Sequence, residues 1–236
     1  MRQIPFGLKQ EENCQFNEGQ LKNELSSSDL VMLDNPHTPT IQGFPRKTLL
    51  SLIDDNPQNC LMMDESYLAF VDLDSSNSLV PTIRPNLIAL KTVTMSHGWL
   101  GLGPNYFAGS NLDRHSFLAR RFSPTLVLGW AQQTGLELVH QEPIVQREEI
   151  ADFRHEILPQ LQCHSHLNII PCNAPYNLLQ VTSELFATLK KQHSAIDLTM
   201  SWGEHYSGLT DNHLHIALWH HEGLQRFLSV LKQLEY

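Results

Sequence analysis

The sequence lacks a long apolar run. None of its 236 residues falls in a stretch of about 20 consecutive apolar side chains, so nothing in it is expected to span a membrane as a helix. The opening MRQIPFGLKQEENCQ has no apolar h-region, so no signal peptide is expected. Cysteine is scarce. Cys14, Cys60, Cys163 and Cys172 show no CxxC spacing, which leaves buried free thiols in a reducing cytoplasm as the expectation. Basic charge is also short, with 16 Lys and Arg against 25 Asp and Glu and a net charge of -9. That balance argues against nucleic acid or an anionic membrane as partner. No internal repeat or low-complexity tract is present. What remains is 41% hydrophobic and 17% charged, ordinary for a globular chain with a real core. The length suits one large or two small domains.

Apolar runs at Asp29–Asp34, Cys60–Asp64 and Asn86–Val93 read as buried strands. A helix within Phe44–Asp54 and a short one at Glu18–Glu24 accompany them. This pattern suggests a mostly parallel sheet with binding chemistry at the carboxyl ends of its strands. Three polar clusters fall at those ends: NPHTPT (Asn35–Thr40), DESY (Asp64–Tyr67) and TVTMSHG (Thr92–Gly98). The stretch Lys91–Tyr106, with Gly98, Gly101 and Gly103, has the composition of a strand end, a binding turn and a tight return.

Tyr106–Ser110 is expected as a return strand, and Asp113–Arg121 and Pro124–Leu138 as helices. Arg147–Leu158 carries an apolar stripe of Ile150, Phe153 and Ile157, and Pro159 should end or kink it. Strands at Leu167–Ile170, Asn177–Thr182, Ala195–Met200 and His213–Trp219 follow, with helices at Glu184–Gln192 and Glu222–Leu234. The expected architecture is therefore α/β, with a small α+β unit at the C-terminal end. A domain boundary is expected near Pro143, giving 1–143 and 144–236.

The three clusters together resemble fold-type I pyridoxal-phosphate enzymes, in the histidinol-phosphate aminotransferase and threonine-phosphate decarboxylase branch. That family's lysine turn runs roughly R-T-x-S-K-x-x-G-L-x-G-L-R-x-G-Y, and Thr92, Gly98, Gly101, Leu102 and Tyr106 fall in register with it. DESY resembles its D-E-x-Y, and NPHTPT its N-P-N-N-P-T-G through Asn35, Pro36, Pro39 and Thr40. The resemblance implies Asp64 against the pyridine nitrogen of the cofactor and Tyr67 against its phenolic oxygen. Thr38 would stand where an asparagine also reaches that oxygen, and Thr92 near the phosphate. In the C-terminal part, Asn177 matches an asparagine of the family's N-F-x-L-V strand. His215 stands where an arginine grips the substrate carboxylate, and a mostly neutral imidazole cannot form that bidentate fork.

Two departures bear on catalysis. Met95 occupies the lysine position and has no amine for covalent chemistry. Gly103 occupies the place of a phosphate-clamping arginine. Lys91, four positions before Met95 and about 13 Å away along an extended strand, aligns with an arginine of the pattern. The resemblance also implies that about the first third of the family fold has no counterpart here. Its phosphate loop and ring-stacking aromatic would be absent, and two sheet edges would be left open.

These features lead to the expectation of a truncated, degenerate aminotransferase-like protein. It would be a non-catalytic binding or regulatory chain, paired with another chain as a homodimer or with a complementing N-terminal half. Pyridoxal phosphate would bind weakly and non-covalently, if at all. Two alternatives stand beside this. One is a pyridoxal-phosphate aminotransferase or decarboxylase half completed by a separate chain. The other is a repurposed, cofactor-independent activity using Asp64, Tyr67 and His97 as acid or base. The pairs His164/His166, His213/His215 and His220/His221 have spacing that invites a metal, but no acidic or cysteine cluster accompanies them, so no metal site is expected.

Overall fold

The computed structural model describes residues 18–26, 30–40, 42–71, 76–82, 84–92, 105–110, 137, 147–170, 176–206, 208–217 and 221–234. Met95, His97 and the glycines of the turn lie outside them, as do the expected helix Asp113–Arg121 and nearly all of Pro124–Leu138. The chain divides into two compact units. One is drawn from Phe16–Thr38 and Gln42–Val145, the other chiefly from Gln146–Tyr236.

The first unit holds α1 (Glu18–Ser26), β1 (Leu30–Asp34), α2 (Arg46–Asp55), β2 (Cys60–Asp64), α3 (Leu68–Val71), β3 (Leu87–Thr92) and β4 (Asn105–Gly109). The strands form a sheet in the order β1-β2-β3-β4, parallel from β1 to β3 and antiparallel from β3 to β4. Register places Leu33, Met63 and Ala89 abreast, and Leu61 beside Leu87, so these buried residues share one face. Leu21 and Leu25 of α1 and Leu49, Leu52 and Ile53 of α2 are buried in the same unit. The 3.6-residue spacing of the α2 leucines gives that helix a single apolar stripe. On the opposite face of β1, Leu30 and Met32 are exposed.

The second unit is α+β. It comprises α4 (Arg147–Gln162), β5 (Leu167–Ile170), β6 (Tyr176–Val181), α5 (Ser183–Ile196), β7 (Met200–Trp202), a 3₁₀ turn (Gly203–His205), β8 (His213–Ala217) and α6 (His221–Gln233). Its antiparallel sheet runs β5-β6-β8-β7. Ile157 and Leu161 of α4, Leu185 and Leu189 of α5, and Leu224, Phe227 and Leu231 of α6 enclose a core with Leu179, Leu214, Ile216 and Trp202. Among the described residues no helix is long and apolar enough to cross a membrane.

Two sequence expectations are corrected in this unit. Pro159 lies inside α4, which runs on to Gln162. The apolar stripe continues past the proline to Leu161, fully buried in the core, and this packing outweighs the lost backbone hydrogen bond. The expected strand Ala195–Met200 is instead the end of α5 and a turn, with β7 beginning only at Met200. Ile196 is buried at the helix end, and Asp197 caps it in the left-handed region at φ 50°. Arg226 fixes this cap, donating from Nε to the Ile196 carbonyl at 2.7 Å and from Nη2 to Asp197 Oδ2 at 3.1 Å.

Candidate functional site

In the first unit the carboxyl ends of three parallel strands, at Asp34, Asp64 and Thr92, lie along one edge of the sheet. Asp34 and Asp64 are register partners, so their carboxylates stand side by side on one face. Burial raises the Asp34 carboxyl above the usual carboxylate range, and the neighbouring Asp64 raises it further, while the backbone N–H of Thr38 donates to it and offsets part of the rise. Asp64 Oδ1 accepts from the Ser66 N–H at 2.8 Å, closing the turn that follows β2. Tyr67 sits in that turn, its ring 6.0 Å from that of Phe70.

Asn35 shapes the NPHTPT loop. Its buried amide accepts from the Phe44 N–H at 2.8 Å and donates to the Phe44 carbonyl at 3.3 Å. A side chain at Gly43 would press on this amide, since a Cβ there would come within 3.0 Å of Asn35 Oδ1. His37 is neutral in this loop, where burial pushes its imidazole down to about 4. Thr92 ends β3, one residue past Lys91.

Glu65, which the sequence reading passed over, is the most heavily engaged member of DESY. Its buried carboxylate accepts from Ser78 Oγ at 2.7 Å and from the Leu79 N–H at 2.5 Å, and pairs with Lys91 Nζ at 3.6 Å. The signal was present: an acidic residue directly after a buried strand, with a lysine at the end of the next. Other basic residues of this unit serve structure too. Arg46 donates to the Ser78 carbonyl and to Thr82 Oγ1, and Arg84 pairs with Asp54.

The unit therefore suits one part of pyridoxal phosphate, its ring nitrogen. Two adjacent carboxylates, one of them with its carboxyl raised by burial and by the other, fit a protonated ring nitrogen. Lys91, Arg46 and Arg84 each have protein partners.

In the second unit Asn177 is fully buried, and its Oδ1 accepts from Arg154 Nη1 at 3.0 Å. Register pairs Asn177 with Ile216 and Leu178 with His215. Asn177 thus shares the helix-packed face of Leu179 and Ile216, while His215 lies on the opposite face, its ring 4.1 Å from that of Tyr176. The two residues singled out for the substrate are not brought together within this sheet. Burial lowers the His215 imidazole to about 4, so it is neutral near pH 7. Among the described residues no group of three or more His, Cys, Asp or Glu could hold a metal ion.

No family model matches the chain. The histidinol-phosphate aminotransferase of Francisella philomiragia is 25% identical to it over 162 residues, covering 68% of this chain and 43% of that protein. The chain thus spans less than half the length of such curated relatives. Among solved structures, the histidinol-phosphate aminotransferase of Clostridium acetobutylicum aligns with a TM-score of 0.81 at 17% identity, covering 97% of this chain and 70% of that one. L-threonine-O-3-phosphate decarboxylase from Porphyromonas gingivalis aligns at 0.72 and 20% identity, covering 88% and 65%. The Sinorhizobium meliloti histidinol-phosphate aminotransferase, solved with pyridoxal-5'-phosphate, aligns at 0.70 and 16% identity, covering 92% and 62%.

Proposed function

We propose that this chain, an aminotransferase-like protein with the fold-type I architecture, is a non-catalytic binding subunit that works with another protein chain. The observation that carries this reading is the engagement of Lys91. It is the amine nearest in sequence to Met95, and it is paired with the buried Glu65 at 3.6 Å. In the enzymes this chain resembles, the cofactor acts as an electron sink for a bound amine substrate. No residue here supplies the covalent amine at the matching position. Asp64, with Asp34 beside it, would hold a ring nitrogen, and Tyr67, Thr38 and Thr92 would line the same strand ends. Any such binding would be weak and non-covalent, because Met95 offers no amine, Gly103 stands where a phosphate-clamping arginine would, and Lys91 is engaged by Glu65.

The test is to incubate the purified protein with pyridoxal phosphate, reduce with borohydride, and map modified peptides. The reading expects no lysine to be labelled stoichiometrically. A reducible adduct that persists after every lysine except Lys91 has been changed would overturn it.

A second reading is a pyridoxal-phosphate aminotransferase or decarboxylase completed by a separate chain. The adjacent Asp34 and Asp64 carboxylates favour it, since they suit the cofactor ring. Copurification of a second polypeptide, with transaminase or decarboxylase activity only in the complex, would establish that reading and remove the first.

A further inference from the structure

A cavity of about 650 Å³ lies in the second unit, lined by Ser183, Phe186, Thr210, Asp211 and Asn212. Ser183, Thr210 and Asp211 are exposed, so a solute reaches it directly from water. Its walls are held in place. The loop wall is tied to the sheet where the Asn212 carbonyl accepts from the Val181 N–H at 2.7 Å and the Thr210 carbonyl from the His213 N–H at 3.0 Å. The Phe186 ring stands edge-on to Trp202, with centroids 5.3 Å apart and planes at 80°. Within the lining, Thr210 donates its hydroxyl proton to Asn212 Oδ1, so its own oxygen can only accept. The Asp211 carboxylate has no hydrogen-bond or ion-pair partner among the described residues. It is the one charge in the lining. Lys190, one turn beyond Phe186 on α5, does not neutralise it: that amine pairs with Glu204 at 2.9 Å and lies 4.3 Å from the Trp202 ring centroid.

We propose that this cavity binds a small primary amine with an aromatic body, its ammonium against Asp211 and Thr210 Oγ1 and its ring against Phe186. The proposal goes beyond the reading of the chain as a binding subunit, since it concerns the second unit alone and uses none of the strand-end residues of the first. An ammonium brings three N–H donors and one positive charge, which match an unpaired carboxylate and an acceptor-only hydroxyl. The Phe186 ring, already fixed by Trp202, offers an aromatic partner for the rest of the molecule. The chain's net charge of -9 raises the local concentration of cations. The N-terminal end of α5 carries a positive partial charge that opposes a cation, and Glu184 in its first turn offsets it. An anion of the same size would meet Asp211 as a like charge with no cation in the lining to repay its lost hydration.

Three probes that share a ring and differ in one group test it: 2-phenylethylamine, 2-phenylethanol and phenylacetate, titrated at pH 7.5 into the full chain without cofactor. Binding is followed by the backbone amide resonances of Ser183, Phe186 and Thr210–Asn212. The amine is expected to shift these amides and to bind at least about fivefold more tightly than the alcohol, with phenylacetate weakest. Asp211→Asn, a change at an exposed loop position, should bring the amine down to the level of the alcohol. Phe186→Leu should weaken amine and alcohol together. A preference for the amine that survives in Asp211→Asn would trace it to the overall negative charge and overturn the proposal. Equal binding of amine and alcohol by the unaltered protein overturns it as well, as does the absence of amide shifts with the amine at about 10 mM, a concentration that would reveal even millimolar affinity. If Phe186→Leu does not fold, the unaltered protein and Asp211→Asn still decide the matter.

Discussion

Lys91 Nζ lies 3.6 Å from Glu65 Oε2, joining the end of β3 to the residue after β2. The lysine side chain is 20% exposed and the glutamate 1%, so the carboxylate depends on this network more than the amine does. Glu65 also receives Ser78 Oγ and the Leu79 N–H. Replacing it with alanine leaves buried donors unmet, at a cost of about 1–3 kcal/mol for each group that water does not reach. Glu65→Ala is therefore expected to lower the denaturant midpoint of the first unit more than Lys91→Met does. The reverse order in urea unfolding would show that the pair matters for Lys91 and not for the loop it anchors.

Asp34 carries a testable electrostatic penalty. Its folded carboxyl titrates above the unfolded value, first because of burial and next because of Asp64. A raised acid favours the folded state at low pH, where the proton is bound, and disfavours it once pH exceeds the folded value. Asp34→Asn removes that penalty and should stabilise the protein at pH 7. The gain should shrink as pH falls through the carboxylate range. Chemical unfolding at pH 7 and at pH 4 measures the difference, and an equal effect at both values would exclude the charge as its cause.

Much of the strand-end edge was legible because the three parallel strands are short apolar runs that stop abruptly at a polar residue. The runs ending at Asp34, Asp64 and Thr92 stand in the structure within a residue of their expected positions. The faces of the second sheet were harder to read. β6 is buried on both sides through Tyr176, Asn177, Leu178 and Leu179, so alternation gave no polar marker to separate Asn177 from His215. Only pairing with β8 assigns them to opposite faces. Ala195–Met200 misled for another reason. Its buried apolar residues belong to three different pieces: Ile196 to a helix end, Leu198 to the connection after the cap, and Met200 to a three-residue strand. The weight of Glu65 was hidden because its partners Ser78 and Leu79 come from a loop 13 and 14 residues away.

His37 and His215 should make the protein acid-sensitive. Both imidazoles are lowered by burial to about 4, from an ordinary value of 6.5. Between those values the unfolded chain binds protons that the folded chain refuses. Stability is then complete above about pH 6.5 and falls as pH drops toward 4. The double variant His37→Gln, His215→Gln should lose less stability than the parent between pH 7.5 and pH 5. Imidazole resonances that titrate near 6.5 in the folded protein would contradict this.

Gly203 has no room for a side chain. A Cβ there would come within 2.1 Å of the Thr210 carbonyl oxygen and 2.9 Å of the His213 Cβ. The first contact is backbone, which cannot swing aside as the end of a flexible side chain does. Thr210 is itself fixed by its bonds to His213 Nδ1 and Asn212. Gly203→Ala is expected to cost about 1–3 kcal/mol by forcing the turn after β7 away from β8. A thermal midpoint unchanged from the parent would mean that the Thr210 loop gives way freely.

Pro159 offers the opposite change. It lies inside α4, on the exposed side, at a position where a backbone N–H would otherwise extend the helical hydrogen bonding. Proline in a helix interior costs up to about 3 kcal/mol through the missing donor and the clash of its ring with the preceding turn. The buried Ile157 and Leu161 on either side hold α4 to the core in spite of that cost. Pro159→Ala keeps both contacts and restores the donor, so it should stabilise the second unit by about 1–3 kcal/mol. Amide exchange gives the sharper reading, because the gain should appear as slower exchange in the last turns of α4 rather than throughout the unit. If those amides exchange no more slowly in the variant, the helix is not strained at Pro159, and packing alone does not explain why it continues past the proline.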